Sequence, residues 1–301
     1  MSSRDWDAAT YDRVSDPQLG WALEQLARLP LTGEEVVLDA GCGSGRVTAE
    51  LVERVPRGRV YGIDAAPSMV EHARRALGGR ATVLCQDLVE LSLPEPVDAV
   101  FSNATFHWIP DHDALFAALH RSMKDRARLV AQCGGRGNID HFRDVADAVA
   151  REPPFEPHFA DWQRPWNYAT ASDTAVALER AGFTEVHCWL EPKAVTLAQP
   201  RAFVQSVCLV RHLDPLPEDL REPFVDRVLA KLDDSRTAQP DDSGAALSGE
   251  AGGRARGWPE GEAGSRAGGW PEGEAGSRAG GKREGEPLTL DYVRLNMTAV
   301  S

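Results

Sequence analysis

Positive charge is what this 301-residue sequence has too little of: 33 Lys and Arg stand against 46 Asp and Glu, a formal net charge of −13. A general nucleic-acid or anionic-membrane surface needs clustered cations to displace counterions, and this balance argues against both. Long apolar runs are also missing, none approaching the ~20 residues of a membrane-spanning helix. The opening MSSRDWDAATYDR has no hydrophobic signal core, so a cytoplasmic protein is expected. Cysteine is sparse. Cys42, Cys85, Cys133, Cys188 and Cys208 lie far apart without C-x-x-C spacing, which speaks for reduced core thiols and against a zinc site or disulfide framework. Apolar residues, at 42%, suffice for one large or two small domains.

What is present from residue 36 to 134 is an alternation of short apolar runs with amphipathic stretches, the pattern of successive βαβ units. Strands are predicted near 36–39, 59–63, 81–86, 97–102 and 127–133, with helices at 46–55, 68–77 and 113–124. Pro67 suits a helix's first turn, where its missing N–H loses no hydrogen bond. Ahead of the first strand, Leu19, Leu23 and Leu26 fall at helical spacing and predict a helix over 16–29, packed across the crevice. After Gly134 come predicted helices at 139–150, 173–181, 200–213 and 218–232, a strand at 184–190 and a final antiparallel strand at 288–297. Between Asp233 and Pro287 the composition changes: GWPEGEAGSRAG occurs at 257–268 and again at 269–280. Such a segment has little apolar surface to offset ordering entropy and is expected to be disordered, with Trp258 and Trp270 leaving a partner-binding role open.

The chemistry is concentrated in VLDAGCGSG at 37–45 and in VYGID, which ends at Asp64. Val36, Val37 and Leu38 read as a buried strand that runs out at Asp39. Gly41, Gly43 and Gly45 then make a turn tight enough to bring backbone N–H groups against a ligand. Asp64 lies about twenty residues past the glycines, where a carboxylate at the end of a second parallel strand accepts both hydroxyl protons of a ribose. A dinucleotide fingerprint would need its third glycine at position 46, where Arg46 stands. The pattern D-x-G-x-G-x-G instead resembles motif I of the class I S-adenosylmethionine-dependent methyltransferases, and an acid there suits a ligand carrying a sulfonium and an ammonium. The resemblance implies S-adenosyl-L-methionine as cofactor. It also implies an α/β, Rossmann-like seven-stranded sheet, mostly parallel with the last strand antiparallel, helices on both faces, and a helical insertion before that last strand. It places Asp87 beside the adenine with Leu88 over a ring face, and Ala65, Ala66 and Met69 around the same pocket.

The fourth strand, in FSNATFHWI at 101–109, emerges at the carboxyl edge of the sheet, where an α/β crevice binds ligands. Ser102, Asn103 and Ala104 are expected to bring backbone carbonyls near the methionine ammonium, with His107 and Trp108 pointing on toward the methyl acceptor. DWDAATYDR, motif I, FSNATFHWIPDHDALF and FVQSVCLVRHLDPLPEDLREPFVDRVLAKL together resemble the trans-aconitate 2-methyltransferase family and, more distantly, malonyl-carrier-protein O-methyltransferases. That resemblance implies that Trp6 and Tyr11 lie over the cofactor, Tyr11 as a lid residue, and that a small carboxylic acid such as trans-aconitate is O-methylated. One departure is FVQSVCLVRHL, where trans-aconitate enzymes carry a WVKGTGLRP-like segment.

A carboxylate acceptor is already anionic at neutral pH and needs no general base, but it does need cations to hold it. Arg136, in the GGRGN loop, is the first candidate; Arg164, beside Trp162 and Trp166, and Arg211 are further ones. A phenol or alcohol acceptor, of secondary or quinone metabolism, instead requires His107 to take the proton; a carbon acceptor belongs to the same alternative. No N-P-P-Y-like motif or Pro-Cys nucleophile follows the fourth strand, so nucleic acid is not the expected substrate. A non-catalytic nucleoside-binding regulatory or scaffold protein is the reading from another class. The expected organisation is a helical lid at 1–30, a cofactor-binding core at 31–135, acceptor-side helices with the sixth strand at 136–232, the repeat insert at 233–287 and the final strand at 288–301. A monomer or homodimer without a metal is expected.

Overall fold

The computed structural model describes residues 16–197, 200–237 and 287–301; Trp6, Tyr11 and the duplicated repeat lie outside them. The first half alternates strands and helices. They are α1 (Asp16–Leu26), β1 (Val36–Ala40), α2 (Arg46–Arg54), β2 (Arg59–Asp64), α3 (Pro67–Leu77), β3 (Thr82–Cys85), β4 (Val97–Asn103), α4 (His112–Arg121) and β5 (Met123–Gly134). There follow α5 (Asp140–Ala150), α6 (Ala171–Arg180), β6 (Thr184–Leu197), α7 (Glu218–Thr237) and β7 (Leu288–Val300).

The seven strands form one sheet in the order β3-β2-β1-β4-β5-β7-β6, with β7 antiparallel to both of its neighbours. Every residue of β1 is buried, because helices cover both faces of the sheet; this is why the strand reads as a continuous apolar run rather than an alternation. From β1 the chain first winds outward through β2 and β3, then returns to the opposite side of β1 as β4. That reversal opens a crevice beyond the carboxyl ends of β1 and β4, where an open α/β sheet binds its ligand.

The helices are held by their apolar stripes. α3 buries Met69, Val70, Ala73 and Leu77, each large side chain contributing about 1.5–3 kcal/mol of burial, and ends on Gly78 in the left-handed conformation. One core, around Leu38, Ile63, Phe106, Phe116 and Leu129, fills one face of the sheet; another, around Leu26, Leu51, Phe101 and Val130, fills the other. A third cluster joins α5, α7 and β7 through Phe142, Phe155, Phe224, Val228 and Tyr292.

Several elements differ from the sequence pattern: the strand expected over 184–190 continues to Leu197, paired along its length with β7. The helix expected to reach residue 124 stops at Arg121: Ser122 bonds back to the Ala118 carbonyl (2.9 Å) while its own carbonyl accepts the Val97 N–H (2.9 Å), and Met123 already pairs with Val97 as β5. The single helix expected over 200–213 is a short turn, Pro200–Phe203, that widens into a π-helix, Val204–Cys208. The Leu209 N–H donates to the Val204 carbonyl at 2.8 Å, and the wider turn brings Val204, Cys208 and Leu209 into one cluster with Phe224 and Tyr292. Among the described residues no helix is long and apolar enough to cross a membrane, and no group of His, Cys, Asp and Glu could hold a metal ion.

Candidate functional site

The crevice is built from the turn after β1. The N–H groups of Gly41 and Cys42 both donate to the Ile63 carbonyl (2.8 and 2.9 Å), which ties the turn to the end of β2. Gly41 has φ 84°, and a Cβ there would stand 2.1 Å from Thr105 Oγ1, so only glycine fits. Gly43 donates its N–H to Asp64 Oδ2, and Ala66 donates to Oδ1, each at 2.9 Å. Both carboxylate oxygens are thereby held fixed on the crevice wall. Enclosure raises the Asp64 pKa, with the Ala66 and Gly43 N–H groups opposing it. Gly45, at φ 89°, faces away from the crevice and gives close packing: a Cβ would stand 3.1 Å from Ala73 of α3.

Two adjoining clefts share Gly41, Gly43, Asn103 and Ala104. The larger, of about 240 Å³, is lined toward β2 and β3 by Asp64, Ala65, Met69, Asp87 and Leu88, and toward β4 and the helical insertion by Thr105, Trp108, Ile109 and Arg211. Asp87 is exposed and caps the 3-10 turn Leu88–Glu90, accepting the Val89 N–H at 3.1 Å, so it combines a turn role with a place on the cleft wall. The smaller cleft, of about 70 Å³, is lined by Gln18, Asp39, Ser44 and Arg46 along with the shared residues.

Asp39 is buried, and burial pushes its carboxyl up to about 7; Thr48 Oγ1, donating at 2.7 Å, opposes that rise, and nearby Asp64 adds to it. Asn103 Nδ2 donates to the Gln18 carbonyl at 3.1 Å, leaving Asn103 Oδ1 and Gln18 Oε1 buried without a hydrogen-bond partner. A carboxyl and two orphaned carbonyl oxygens form an acceptor set suited to an ammonium. Gln18 was not legible as a site residue. The only trace it leaves in the sequence is a polar residue in a helix that buries most of its length. Ser102 does not face the cleft: its hydroxyl donates to the Ala40 carbonyl at 2.6 Å, between β4 and β1.

The acceptor-side candidates separate. His107 is buried behind Trp108, where the Gly134 N–H donates to its Nδ1 at 3.3 Å; the ring proton therefore sits on Nε2. Burial, reinforced by Arg294 and His112, holds its pKa well below the usual imidazole range. Arg136 is exposed and lines a separate, open groove with Trp166, Tyr168 and Asp111. Arg164 is engaged by Asp144 (2.7 Å) and Asp147 (2.6 Å). Arg211 alone of the three arginines lines the main cleft. Its guanidinium lies 5.7 Å from the Trp108 ring centre, its Nε is buried with no hydrogen-bond partner, and Asp214 Oδ2 stands 3.4 Å from Nη1.

Comparison with known proteins adds to this geometry. Residues 37–126 match a family model described as a methyltransferase domain. A trans-aconitate 2-methyltransferase of Methylobacterium nodulans is 34% identical over 251 residues, covering 79% of this chain and 92% of the relative. One from Azoarcus sp. is 39% identical over 127 residues, 42% of this chain and 50% of that protein. Among solved structures, the YcgJ protein of Bacillus subtilis aligns over 94% of this chain and 98% of its own, with 12% identity and a TM-score of 0.57. Haemonchus contortus phosphoethanolamine N-methyltransferase 2, in complex with S-adenosyl-L-methionine, aligns over 98% of this chain and 56% of its own, with 16% identity and a TM-score of 0.53. At such identities the two structures speak for the fold alone.

Proposed function

Since this chain belongs to the trans-aconitate 2-methyltransferase family of S-adenosylmethionine-dependent methyltransferases, we propose that it esterifies a small carboxylic acid, trans-aconitate or a related acid. The observation that carries this reading is Arg211, a guanidinium with an orphaned donor on the acceptor-side wall of the cleft. S-adenosylmethionine supplies the methyl group and its own leaving group, so the protein's work is to bind, orient and exclude water.

Each part of the crevice then has a task. Asp64 holds the ribose hydroxyls, Asp87 and Leu88 the adenine, and Asp39, Gln18 and Asn103 the ammonium. Trp108 and Ile109 shield the acceptor end, and Arg211 grips the acceptor carboxylate with its planar fork of donors. Because the carboxylate is already ionised, no proton has to be removed. His107 agrees with that: its Nδ1 is taken by the Gly134 N–H and its Nε2 is protonated, so it supports the Trp108 wall rather than acting as a base.

Arg211→Gln tests the reading. The expected result is a fall in kcat/KM for a carboxylic acid of on the order of a hundredfold, with S-adenosylhomocysteine affinity unchanged and partial recovery in Arg211→Lys. Wild-type turnover in Arg211→Gln contradicts it.

A further inference from the structure

Arg211 stands on a stretch of chain, residues 209–217 between the π-helix and α7, that is neither helix nor strand. Leu209, Leu213 and Leu216 seat this stretch in the apolar cluster that holds Phe224. Apolar packing sets how deep a segment lies but has no direction of its own, so it does not aim a side chain as long as that of arginine.

The next residue supplies the direction. His212 is fully buried, and its Nε2 lies 2.9 Å from Asp147 Oδ1 of α5. Asp147 Oδ2 accepts the Arg164 Nε–H at 2.7 Å, so each carboxylate oxygen has its own donor. Burial works to raise the Asp147 carboxyl, but the hydrogen bonds from His212 and Arg164 outweigh it and hold its pKa below the usual range. Asp147 is therefore an ionised acceptor, and the proton between the two groups sits on His212 Nε2. His212 Nδ1 is left buried with no hydrogen-bond partner. An unmet ring nitrogen is unfavourable among apolar neighbours, where a phenylalanine would carry no such penalty; what the imidazole adds is a fixed direction.

A chain of rings closes on the same place. The His212 ring centre lies 4.6 Å from that of Trp162 and 5.7 Å from that of Trp166. Trp166 meets Trp108 at 6.0 Å, and the Arg211 guanidinium lies 5.7 Å from the Trp108 ring centre. Two consecutive residues thus hold the two ends of one aromatic chain, and Trp108 and Arg211 are its members on the wall of the main cleft. Both consecutive residues fall in FVQSVCLVRHL, the segment that departs from the WVKGTGLRP-like one of trans-aconitate enzymes.

We propose that His212, locked by Asp147, is a positioning residue for Arg211 and sets the direction from which the guanidinium enters the cleft. In its effect on turnover, the inference rests on the reading of Arg211 as the group that grips the acceptor.

The test uses the full chain, saturated with S-adenosylhomocysteine for spectroscopy and supplied with S-adenosylmethionine and trans-aconitate for kinetics. A nitrogen–proton correlation spectrum reads the Arg211 Nε–H resonance, assigned by its absence from Arg211→Gln. The wild type is expected to show it as a resolved signal, slow to exchange with solvent. His212→Phe, which keeps a ring but loses the donor, is expected to broaden it or merge it with the exposed arginines; His212→Gln, which restores a donor toward Asp147, is expected to recover it. In turnover, His212→Phe is expected to lower kcat/KM about tenfold with S-adenosylhomocysteine affinity unchanged, and to add no further loss in an Arg211→Gln background. A structural role would lower both backgrounds alike. Should His212→Phe fail to fold, Asp147→Asn, which keeps the shape but weakens the acceptor, is expected to give the same changes in smaller degree. An Arg211 Nε–H signal missing from the wild type or unchanged in whichever of these two variants folds overturns the proposal, as does an equal loss of kcat/KM in both backgrounds. Wild-type turnover in Arg211→Gln would instead remove the acceptor reading, and the resonance alone then decides on His212.

Discussion

Asp39 ends β1 inside the fold, where burial carries its carboxyl from the usual 3.8 to about 7. A folded pKa above the unfolded one means the folded state keeps this proton longer, so raising the pH from about 4 to 7 removes stability from the ligand-free protein. Cofactor binding has the opposite dependence, because an ammonium, protonated up to about pH 8, prefers the ionised acid. S-adenosylhomocysteine affinity is therefore expected to rise as the pH increases from about 5.5 to 7.5, and to lose that rise in Asp39→Asn; titration calorimetry across this range checks it. At this scale the glycines, Asp39, Asp64 and Asp87 are legible in the sequence because their spacing is set by local backbone geometry. Arg211 and Arg136 were not separable. Both follow regular elements, and nothing local says that one side chain reaches the main cleft while the other turns to an open groove. Gln18 left still less signal, since its burial depends on elements far away in the chain.

The turn between β1 and α2 is the element on which the site depends most. Gly41 has a positive φ and stands where an added Cβ would overlap Thr105, so Gly41→Ala combines backbone strain of about 1–3 kcal/mol with displacement of the β4 end. A lowered denaturation midpoint together with a large loss of S-adenosylhomocysteine affinity is expected; an alanine variant that binds normally would place the ligand elsewhere. The strands were legible because β1, β2 and β4 are buried on both faces and read as apolar runs bounded by turns. The π-helix Val204–Cys208 was not, because its i to i+5 bond changes the period on which helix recognition relies. That element also precedes Arg211, so the place where periodicity fails is the place from which Arg211 reaches the cleft.

In the whole molecule, the crevice is a consequence of strand order. The crossover from β3 back to β4 leaves an opening at the carboxyl end of β1, and β7, returning antiparallel between β5 and β6, brings Tyr292 against Cys208 and Phe224 of the helical insertion. A ligand that binds only the folded state stabilises it by about 2.7 kcal/mol at a hundredfold excess over Kd, which raises the melting temperature by roughly 5–10 °C. S-adenosylhomocysteine is expected to give a shift of that size, and Asp64→Asn to diminish it; an equal shift in the variant would separate Asp64 from the cofactor. The sequence made the cofactor half readable through one contiguous motif. The proposed acceptor side draws on β4 and the segment after the π-helix, so only the folded chain shows which arginine lines the cleft.

The central claim is that the methyl group goes to a carboxylate oxygen. The most direct measurement incubates the protein with methyl-labelled S-adenosylmethionine and trans-aconitate, then treats the small-molecule product with hydroxide. The account predicts label in the acid that hydroxide releases as methanol, the behaviour of a methyl ester. Label that survives hydroxide would contradict it, as would no transfer to trans-aconitate or related polycarboxylic acids by protein that binds S-adenosylhomocysteine.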